Sequence, residues 1–206
     1  DLLDLIHEDI SGIKIGLQYI TQRSPEEIRQ LSKFKKPIFY DGKFFDIKNT
    51  LVESIKSLKD LNISYATVHL LNGLDALKAA NQAAQEINLN LLGVSVLTSF
   101  SNQDLKSLGF NNKVEDQVKK LIKVAIEANL YGVICSPLEV KMIKKIAPKL
   151  KCFTPGIRME NAKDDQKRTM NANKAIKEGS DCLIIGRPIT KGNPKENLKN
   201  ILLSIN

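Results

Sequence analysis

The sequence predicts an α/β protein built on a parallel β-sheet that is covered by helices, and three observations support this class. Short apolar runs alternate with longer amphipathic segments along the whole chain. The apolar runs are nearly continuous, as expected for strands that are buried on both faces. Polar residues follow several different strands, which favours a closed (β/α)₈ TIM barrel over an open doubly wound sheet, because a barrel gathers all of its strand ends around one site.

Seven segments are predicted to be strands. In chain order they are 12–17 (GIKIGL), 37–41 (PIFYD), 65–71 (YATVHLL), 91–97 (LLGVSVL), 132–136 (GVICS), 151–156 (KCFTPG) and 182–188 (CLIIGRP). An eight-stranded barrel needs one more strand, and the chain opens on a helical pattern. We therefore expect the first strand of the barrel to precede Asp1. No Gly/Ser linker divides the chain, which predicts one domain over residues 1–206.

The predicted helices begin with recognisable capping sequences. Ser24 is followed by Pro25 and, three residues after the serine, by Glu27, and the segment 136–139 repeats this pattern. The segment 50–53, which runs from a threonine to a glutamate, fits a capping box. These three positions are the predicted starts of helices.

Composition limits the classes of partner. The net charge is +8 and the sequence pI is near 9.3, but the Lys residues are spread along the chain without a basic block. The chain has no Trp, and its aromatic residues are not interleaved with Lys as on a base-stacking surface. The sequence therefore gives only weak support for nucleic-acid binding. No apolar run approaches the roughly 18 residues that a membrane span needs. We expect a soluble protein that binds neither nucleic acid nor membranes.

The three cysteines indicate the compartment. Cys135, Cys152 and Cys182 lie in apolar, strand-like runs and show no metal-ligand spacing. An odd number of scattered thiols fits a reducing environment better than a disulfide framework. The sequence therefore predicts buried, reduced thiols in a cytoplasmic protein.

Charged residues end the second predicted strand, where apolar residues would be expected. Side-chain alternation places Asp41 and Lys43 on one face with Phe39, and Asp46 follows closely. A surface salt-bridge cluster is one interpretation. In the mouth of a barrel, carboxylates around an ammonium would instead keep the Lys protonated as a proton donor and would disfavour a substrate anion in its ground state. That arrangement suits a reaction that loses CO₂ and gains a proton.

A phosphate site is indicated near the end of the chain. Gly186 and Arg187 end the last strand, where glycine allows close backbone approach and arginine offers a bidentate fork. In these barrels phosphate often binds at the loops after the last two strands, which here are 154–158 and 185–190. A turn with a surface arginine is the alternative. Lys14, a single charge in an apolar strand, either joins the site or extends to solvent at the strand end.

The sequence lacks the common motifs for binding cofactors and catalytic metals. It contains no P-loop, no GxGxxG after a strand, no HExxH and no paired CxxC. His69 has no nucleophile or metal ligand spaced around it and is predicted to be a hydrogen-bonded imidazole in the core or at the barrel rim, rather than a catalytic base. We expect catalysis by ordinary side chains, without a cofactor and without a metal.

Taken together, these strings resemble the bacterial type of the orotidine 5′-phosphate decarboxylase family. The resemblance spans nearly the whole chain through IKIGL, FYDGKFFDIKNT, TVHLLNG, VSVLTSF, GVICSPLE, TPGIR, DDQKR and CLIIGRPIT, in the family's order. The combination of D-x-K-x-x-D-I-x-N-T with a terminal IGRPIT is highly specific. The resemblance implies a (β/α)₈ barrel that converts orotidine 5′-phosphate to UMP and CO₂, the last step of de novo UMP synthesis, without a cofactor.

The resemblance also implies roles for individual residues. Asp41, Lys43 and Asp46 would form the alternating charge array, with Lys43 delivering a proton to C6 of the pyrimidine. Asp46 and its neighbours would reach into the partner's site across a homodimer interface. The family's substrate-binding positions correspond to Lys14, Ile47, Asn49, Thr50, Thr98, Pro155, Arg158, Gln166, Gly186 and Arg187. Within this set, Ile47 and Thr50 would act across the interface with Asp46, Lys14 would lie near the ribose, and Thr98 would contact the pyrimidine.

The sequence departs from the family pattern at three positions of the motif. The family usually has Leu, His and Pro where this chain has Gly42, Phe45 and Lys48. All charged positions of the motif are retained, which indicates altered packing with unchanged chemistry. Two other functions stay open: a related metal-dependent phosphosugar barrel, such as a 3-keto-gulonate-phosphate decarboxylase or hexulose-phosphate synthase, and a non-catalytic basic domain that binds RNA.

Overall fold

The computed structural model describes residues 2–158 and 168–205. Within these residues, seven parallel strands form one sheet in sequential order, so each strand pairs with the next one along the chain. The strands are β1 (Ile13–Gly16), β2 (Ile38–Phe44), β3 (Ile63–His69), β4 (Asn90–Val94), β5 (Gly132–Ile134), β6 (Lys151–Thr154) and β7 (Cys182–Leu183). The predicted α/β class is confirmed, and each of the seven predicted segments contains a strand. The last segment, 182–188, was predicted too long, since residues 187 and 188 lie in a helix.

Helices connect the strands, as a parallel sheet requires. They are α1 (Leu2–Ile6), α2 (Leu17–Gln22), α3 (Pro25–Arg29), α4 (Lys48–Lys56), α5 (Leu74–Glu86), α6 (Asn102–Ser107), α7 (Val114–Glu127), α8 (Val140–Ile146), α9 (Ala172–Lys177), α10 (Arg187–Thr190) and α11 (Pro194–Ile205). Short 3₁₀ helices cover His7–Asp9, Gln30–Phe34, Lys59–Leu61 and Leu70–Asn72. No helix in the described part of the chain is long and apolar enough to cross a membrane.

The sheet curls until strands that are far apart in its order touch. The ring centroids of Tyr65 on β3 and Phe153 on β6 are 5.3 Å apart, and those of Phe39 on β2 and Phe153 are 6.1 Å apart. Side chains of β2 and β6 could not meet across a flat sheet, because neighbouring strands are about 4.8 Å apart. The architecture is therefore TIM-barrel-like. The expected strand before Asp1 stays a prediction, since it concerns residues outside this sequence.

The two faces of the sheet have different partners. Leu92 on β4 points inward with Phe39 and Phe153, whereas its neighbour Leu91 points outward to the helices. The outer core is larger because the longer helices bury apolar stripes against the sheet, for example Val118 and Ile122 of α7. Burying such a side chain contributes about 1.5 to 3 kcal/mol. The continuous apolar strands thus fill two cores at once, as their composition predicts.

The helix starts were predicted with mixed success. Ser24 caps α3 in a full capping box with Glu27, as expected. The prediction at Thr50 was wrong: α4 already begins at Lys48, because Ile47 adopts the extended cap conformation and its carbonyl accepts the N–H of Leu51. The prediction at Ser136 was also wrong, since α8 begins only at Val140.

The cysteine prediction is confirmed in part. All three thiols are free, and Cys135 and Cys152 are fully buried. Cys182, on the edge strand β7, is only partly buried.

Candidate active site

Three charged side chains meet at the carboxyl ends of β1 and β2. The Nζ of Lys43 lies 2.8 Å from Oδ1 of Asp41, and the Nζ of Lys14 lies 3.2 Å from Oδ2 of the same carboxylate. Register pairing brings them together, because Lys14 is opposite Phe39 and Gly16 is opposite Asp41. The side chain of Asp41 is 13% exposed, whereas Lys14 and Lys43 are about one third exposed. The predicted pairing of Asp41 with Lys43 is thus present, and Lys14 belongs to the same cluster.

The Asp41 carboxyl is held in its charged form. Burial alone would raise its pKa, but the ammonium groups of Lys14 and Lys43 outweigh this effect, so the pKa lies below its usual value. Both oxygens of this carboxylate are occupied by donors: Oδ2 by Lys14, and Oδ1 by Lys43 and the hydroxyl of Thr67 at 3.1 Å. A negative charge is therefore fixed between two positive ones that face the interior of the sheet.

A bulge in β2 shapes this cluster. Tyr40 is opposite Ala66 and Phe44 is opposite Val68, so residues 41–43 face the single residue Thr67 on β3. Lys43 adopts a left-handed conformation with φ of 49°, which is rare for a side-chain-bearing residue. Its backbone N–H donates to the Thr67 hydroxyl at 2.8 Å instead of to a carbonyl of the ladder. The bulge therefore sets the direction from which the Lys43 side chain departs.

The structure gives a packing reason for glycine at position 42. The rings of Tyr40 and Phe44 stack at 5.7 Å with an interplanar angle of 4°, and they cover the outer side of the bulge. A Cβ atom on Gly42 would lie 2.7 Å from a ring carbon of Tyr40. A leucine, as in the related family, would therefore require a different arrangement of these rings. The interpretation of this departure as altered packing stays a prediction.

His69 lies at the rim of the mouth, as predicted. Its Nδ1 accepts the N–H of Leu71 at 3.4 Å, and its ring lies 5.5 Å from that of Phe45. Burial, and then the charge of Lys43, lower the pKa of this imidazole. The lowered pKa favours the uncharged form of His69, and the aromatic ring at position 45 packs against it.

Asp46 is not joined to the charge cluster within this chain. Its Oδ1 accepts the N–H of Ile47 at 2.7 Å, and its own N–H donates to Oδ1 of Asn72 at 3.0 Å. Among the described residues no ion pair links Asp46 to Lys43. Phe45 and Ile47 on either side of it are 63% and 75% exposed. Asn49 and Thr50, in the first turn of α4, are exposed as well.

The predicted phosphate residues lie in the loops after β6 and β7, which are neighbours in the sheet. Pro155 and Arg158 follow β6 and are half-buried, and the N–H of Arg158 donates to the carbonyl of Met170 at 3.0 Å. Gly186 and Arg187 are exposed at the start of α10. A Cβ atom on Gly186 would meet no atom within 4 Å, which leaves open space at this strand end. Gln166 lies outside the described residues.

A buried ion pair braces three loops of the mouth, and sequence reasoning missed it. The guanidinium of Arg168 contacts the carboxylate of Glu139 and donates from Nη2 to the carbonyls of Val96 and Leu97 at 3.1 and 2.8 Å. Glu139 in turn accepts the N–H of Ser136 at 2.9 Å. Thr98, half-buried, directly follows the two anchored carbonyls. The signal in the sequence is the arginine that ends DDQKR.

Two open grooves formed by described residues do not include the charge cluster. Open grooves of about 480 and 880 Å³ lie between α4 and α5 and beside α6, α7 and α8, and neither is lined by Lys14, Asp41 or Lys43. In the described parts of the chain, no three His, Cys, Asp or Glu side chains gather as a metal site. Charge and geometry therefore identify the candidate site: a Lys-Asp-Lys cluster at strand ends, which can bind an anion and supply a proton.

Comparison with known proteins finds close similarity over nearly the whole chain. The chain is 38% identical to orotidine 5′-phosphate decarboxylase of Wolbachia pipientis over 97% of its length and 89% of that protein, and 39% identical to the enzyme of Ehrlichia canis over 100% and 91%. The crystal structure of orotidine 5′-phosphate decarboxylase from Lactobacillus acidophilus is similar, with a TM-score of 0.82, 32% identity and coverage of 94% and 86%.

A comparison with protein families supports the same assignment. Residues 1–201 match the family described as orotidine 5′-phosphate decarboxylase / HUMPS. The resemblance found in the sequence is confirmed, and the chain belongs to the orotidine 5′-phosphate decarboxylase / HUMPS family.

Proposed function

We propose that this enzyme decarboxylates orotidine 5′-phosphate to UMP and CO₂, with Lys43 as the proton donor. The observation that carries the proposal is the position of the Lys43 ammonium, 2.8 Å from a carboxylate that Lys14 and Thr67 also bind. A fixed Asp41 carboxylate beside a proton donor suits a substrate that loses a carboxylate at the same carbon that gains a proton. The relatives named for this reaction, at 38% and 39% identity, support it.

Remote groups of the substrate would be bound by the loops around the cluster. Gly186, Arg187 and Arg158, with Pro155 in the same loop, would hold the 5′-phosphate at the ends of β6 and β7. Lys14 would lie near the ribose, and Thr98 would contact the pyrimidine. Gln166 is assigned to the phosphate by its position in DDQKR alone. Binding energy from the phosphate can be used to hold the reacting ring against the charge cluster.

The chemical step balances with these residues alone. The bond between C6 and the carboxylate breaks, its electron pair stays on C6, and CO₂ leaves. The Lys43 ammonium stabilises the charge that develops at C6 and then transfers its proton to that carbon. The neutral amine regains a proton from solvent after product leaves. Preorganised charge of this kind contributes several kcal/mol, on the order of 3 to 4 where a single donor has been removed from an enzyme.

The site would be completed by a second copy of the chain. Asp46, Ile47 and Thr50 would enter the partner's mouth, and Asn49 would lie beside them. The exposed Phe45 and Ile47, 63% and 75%, are large apolar side chains next to Asp46 and favour a covered surface there. Asp46 would then supply the second carboxylate next to Lys43 of the partner, which gives the alternating Asp-Lys-Asp array.

The test is turnover of orotidine 5′-phosphate, followed by its absorbance, with and without a chelator. The wild-type protein is expected to be active in chelator, and Lys43→Ala to lose turnover while keeping its fold and dimer. Lys123→Ala, an exposed change on α7, is the matched control and should be fully active. Normal turnover by Lys43→Ala would refute the role of Lys43.

A second candidate is favoured by the family description, which also covers the HUMPS group. That candidate is a metal-dependent phosphosugar decarboxylase or synthase that uses the same D-x-K-x-x-D segment. Loss of all activity in chelator, restored by a divalent metal and seen with a phosphosugar but not with orotidine 5′-phosphate, would replace the first proposal by this one.

A further inference from the structure

We propose that Thr67 is the positioning residue of the charge cluster, because its one hydroxyl fixes both the Lys43 backbone and the Asp41 carboxylate. The inference rests on the proposed function for its effect on turnover, and on geometry alone for its structural part. Thr67 lies on β3, is 0% exposed and acts only through these two neighbours.

The bulge requires a hydrogen-bond acceptor for the backbone N–H of Lys43, and the Thr67 hydroxyl is that acceptor. Residues 41–43 lie between two regular pairs, Tyr40 with Ala66 and Phe44 with Val68, and Thr67 is the one residue opposite them. The left-handed Lys43 therefore directs its N–H away from the carbonyls of the ladder. A buried N–H without a partner would cost about 1 to 3 kcal/mol. The Thr67 oxygen accepts this N–H at 2.8 Å.

The hydroxyl uses its donor and acceptor functions at the same time. It has one hydrogen to donate, and that hydrogen goes to Oδ1 of Asp41 at 3.1 Å. The same Oδ1 accepts the Nζ of Lys43 at 2.8 Å. Thr67 therefore fixes the Lys43 backbone, and it also orients the Asp41 carboxylate that binds the Lys43 ammonium. The ammonium therefore has little freedom to leave the position from which it would donate.

Threonine suits this position better than valine or serine, the amino acids most similar to it. Its β-branched side chain restricts rotation about χ1 and so keeps the hydroxyl aimed at the bulge. Valine has nearly the same shape but can neither accept from Lys43 nor donate to Asp41. Serine keeps both functions but lacks the methyl group that fixes the rotamer. These differences provide a graded series of variants.

The test compares Thr67→Val, Thr67→Ser and the wild type in steady-state turnover of orotidine 5′-phosphate. Thr67→Val should lower kcat by about 100-fold, the loss expected from a misplaced reacting group, while KM changes less than about threefold. Thr67→Ser should recover most of kcat. Asn81→Ala is the control, since it removes another mostly buried hydrogen bond, to the carbonyl of Asn129 at 2.9 Å, on the helical side of the sheet. It should lower the melting temperature and leave kcat unchanged.

A crystal structure of Thr67→Val separates this inference from the proposed function. We expect Lys43 to leave its left-handed conformation or its Nζ to move away from Asp41, whether or not the wild type decarboxylates orotidine 5′-phosphate. Unmoved Lys43 and Asp41 in that structure, or wild-type kcat in the valine variant, would overturn the role of Thr67. A wild-type protein without turnover would contradict only the proposed function.

Discussion

The guanidinium of Arg168 and the carboxylate of Glu139 form an ion pair that is 14% and 6% exposed and that joins segments 29 residues apart. The arginine also binds two carbonyls of the loop after β4, while Met170, two residues further on, pairs with the loop after β6 through Gly156 and Arg158. Three loops at the mouth are thereby connected through one side chain and its neighbours.

Removing one member of this pair should be strongly destabilising. Arg168→Met would leave the Glu139 charge buried without its cation, at a cost of about 3 to 5 kcal/mol in the free energy of unfolding. The double variant Arg168→Met/Glu139→Gln should recover part of this loss. Urea unfolding measures both. The exposed pair of Lys119 with Glu115 is the comparison, and Lys119→Met should lower the free energy of unfolding far less, because a solvent-exposed ion pair contributes little. Equal losses of stability in Arg168→Met and Lys119→Met would show that the buried pair contributes no more to stability than the exposed one.

Neutralising Asp41 should remove a stability contribution that depends on pH. Burial tends to raise the pKa of its carboxyl, but Lys14 and Lys43 lower it below the unfolded value of about 3.9. A depressed pKa stabilises the fold above the unfolded value, and this stability is lost as the pH falls through the folded value. Asp41→Asn should therefore be less stable than wild type at pH 7, with a difference that shrinks below about pH 4. Asp60→Asn, at an exposed position, serves as the control in the same unfolding series. If the stability difference between wild type and Asp41→Asn grew at low pH, it would contradict the predicted direction of the pKa shift of Asp41.

Mixed dimers should test whether Asp46 acts across the interface. Asp46→Asn keeps the oxygen that accepts the Ile47 N–H, so the local fold should persist. Each of Lys43→Ala and Asp46→Asn alone should be nearly inactive. After the two are unfolded and refolded together, half of the dimers are mixed and each has one intact site, so about one quarter of wild-type activity should return. Activity that stays absent after mixing would place Asp46 in the site of its own subunit.

Two glycines should separate a role in folding from a role in binding. Gly132→Ala would place Cβ 2.6 Å from the carbonyl oxygen of Lys151 on the neighbouring strand, and should lower stability by about 1 to 3 kcal/mol. Gly186→Ala meets no atom within 4 Å, so its melting temperature should not change. If Gly186 admits the phosphate close to the backbone, KM should rise by about tenfold or more, as for a weakened hydrogen bond to a charged group. An unchanged KM would exclude Gly186 from the phosphate site.

Two substitutions of Lys43 should differ in stability, although we expect neither to support catalysis. Both remove the ion pair with Asp41, but only Lys43→Gly relieves the left-handed conformation at φ of 49°. Lys43→Gly should therefore be more stable than Lys43→Ala by about 1 kcal/mol, measured by thermal unfolding. Equal stabilities would indicate that the backbone at position 43 relaxes when the side chain is shortened.

The sequence predicted what depends on local pattern. Strand period and apolar content located all seven strands, and alternation placed Asp41 and Lys43 on the interior face with Phe39. It did not predict the bulge opposite Thr67, because bulges follow from how two strands pair and not from either strand alone. The Arg168 pair was missed for the same reason, since its partner lies 29 residues away in sequence. The start of α4 was misplaced because an exposed isoleucine, which has no capping side chain, precedes that helix as its N-cap residue.

The left-handed turn at Lys43 also limits how this sequence can change by mutation over generations. A glycine would suit the backbone there but would delete the ammonium, so a lineage that keeps its lysine must also keep an acceptor for the lysine N–H. That acceptor is 24 residues further along the chain. We therefore expect positions 43 and 67 to change together if they change at all. An ancestor that lost one of these two residues would have needed a different conformation of β2 before it could lose the other.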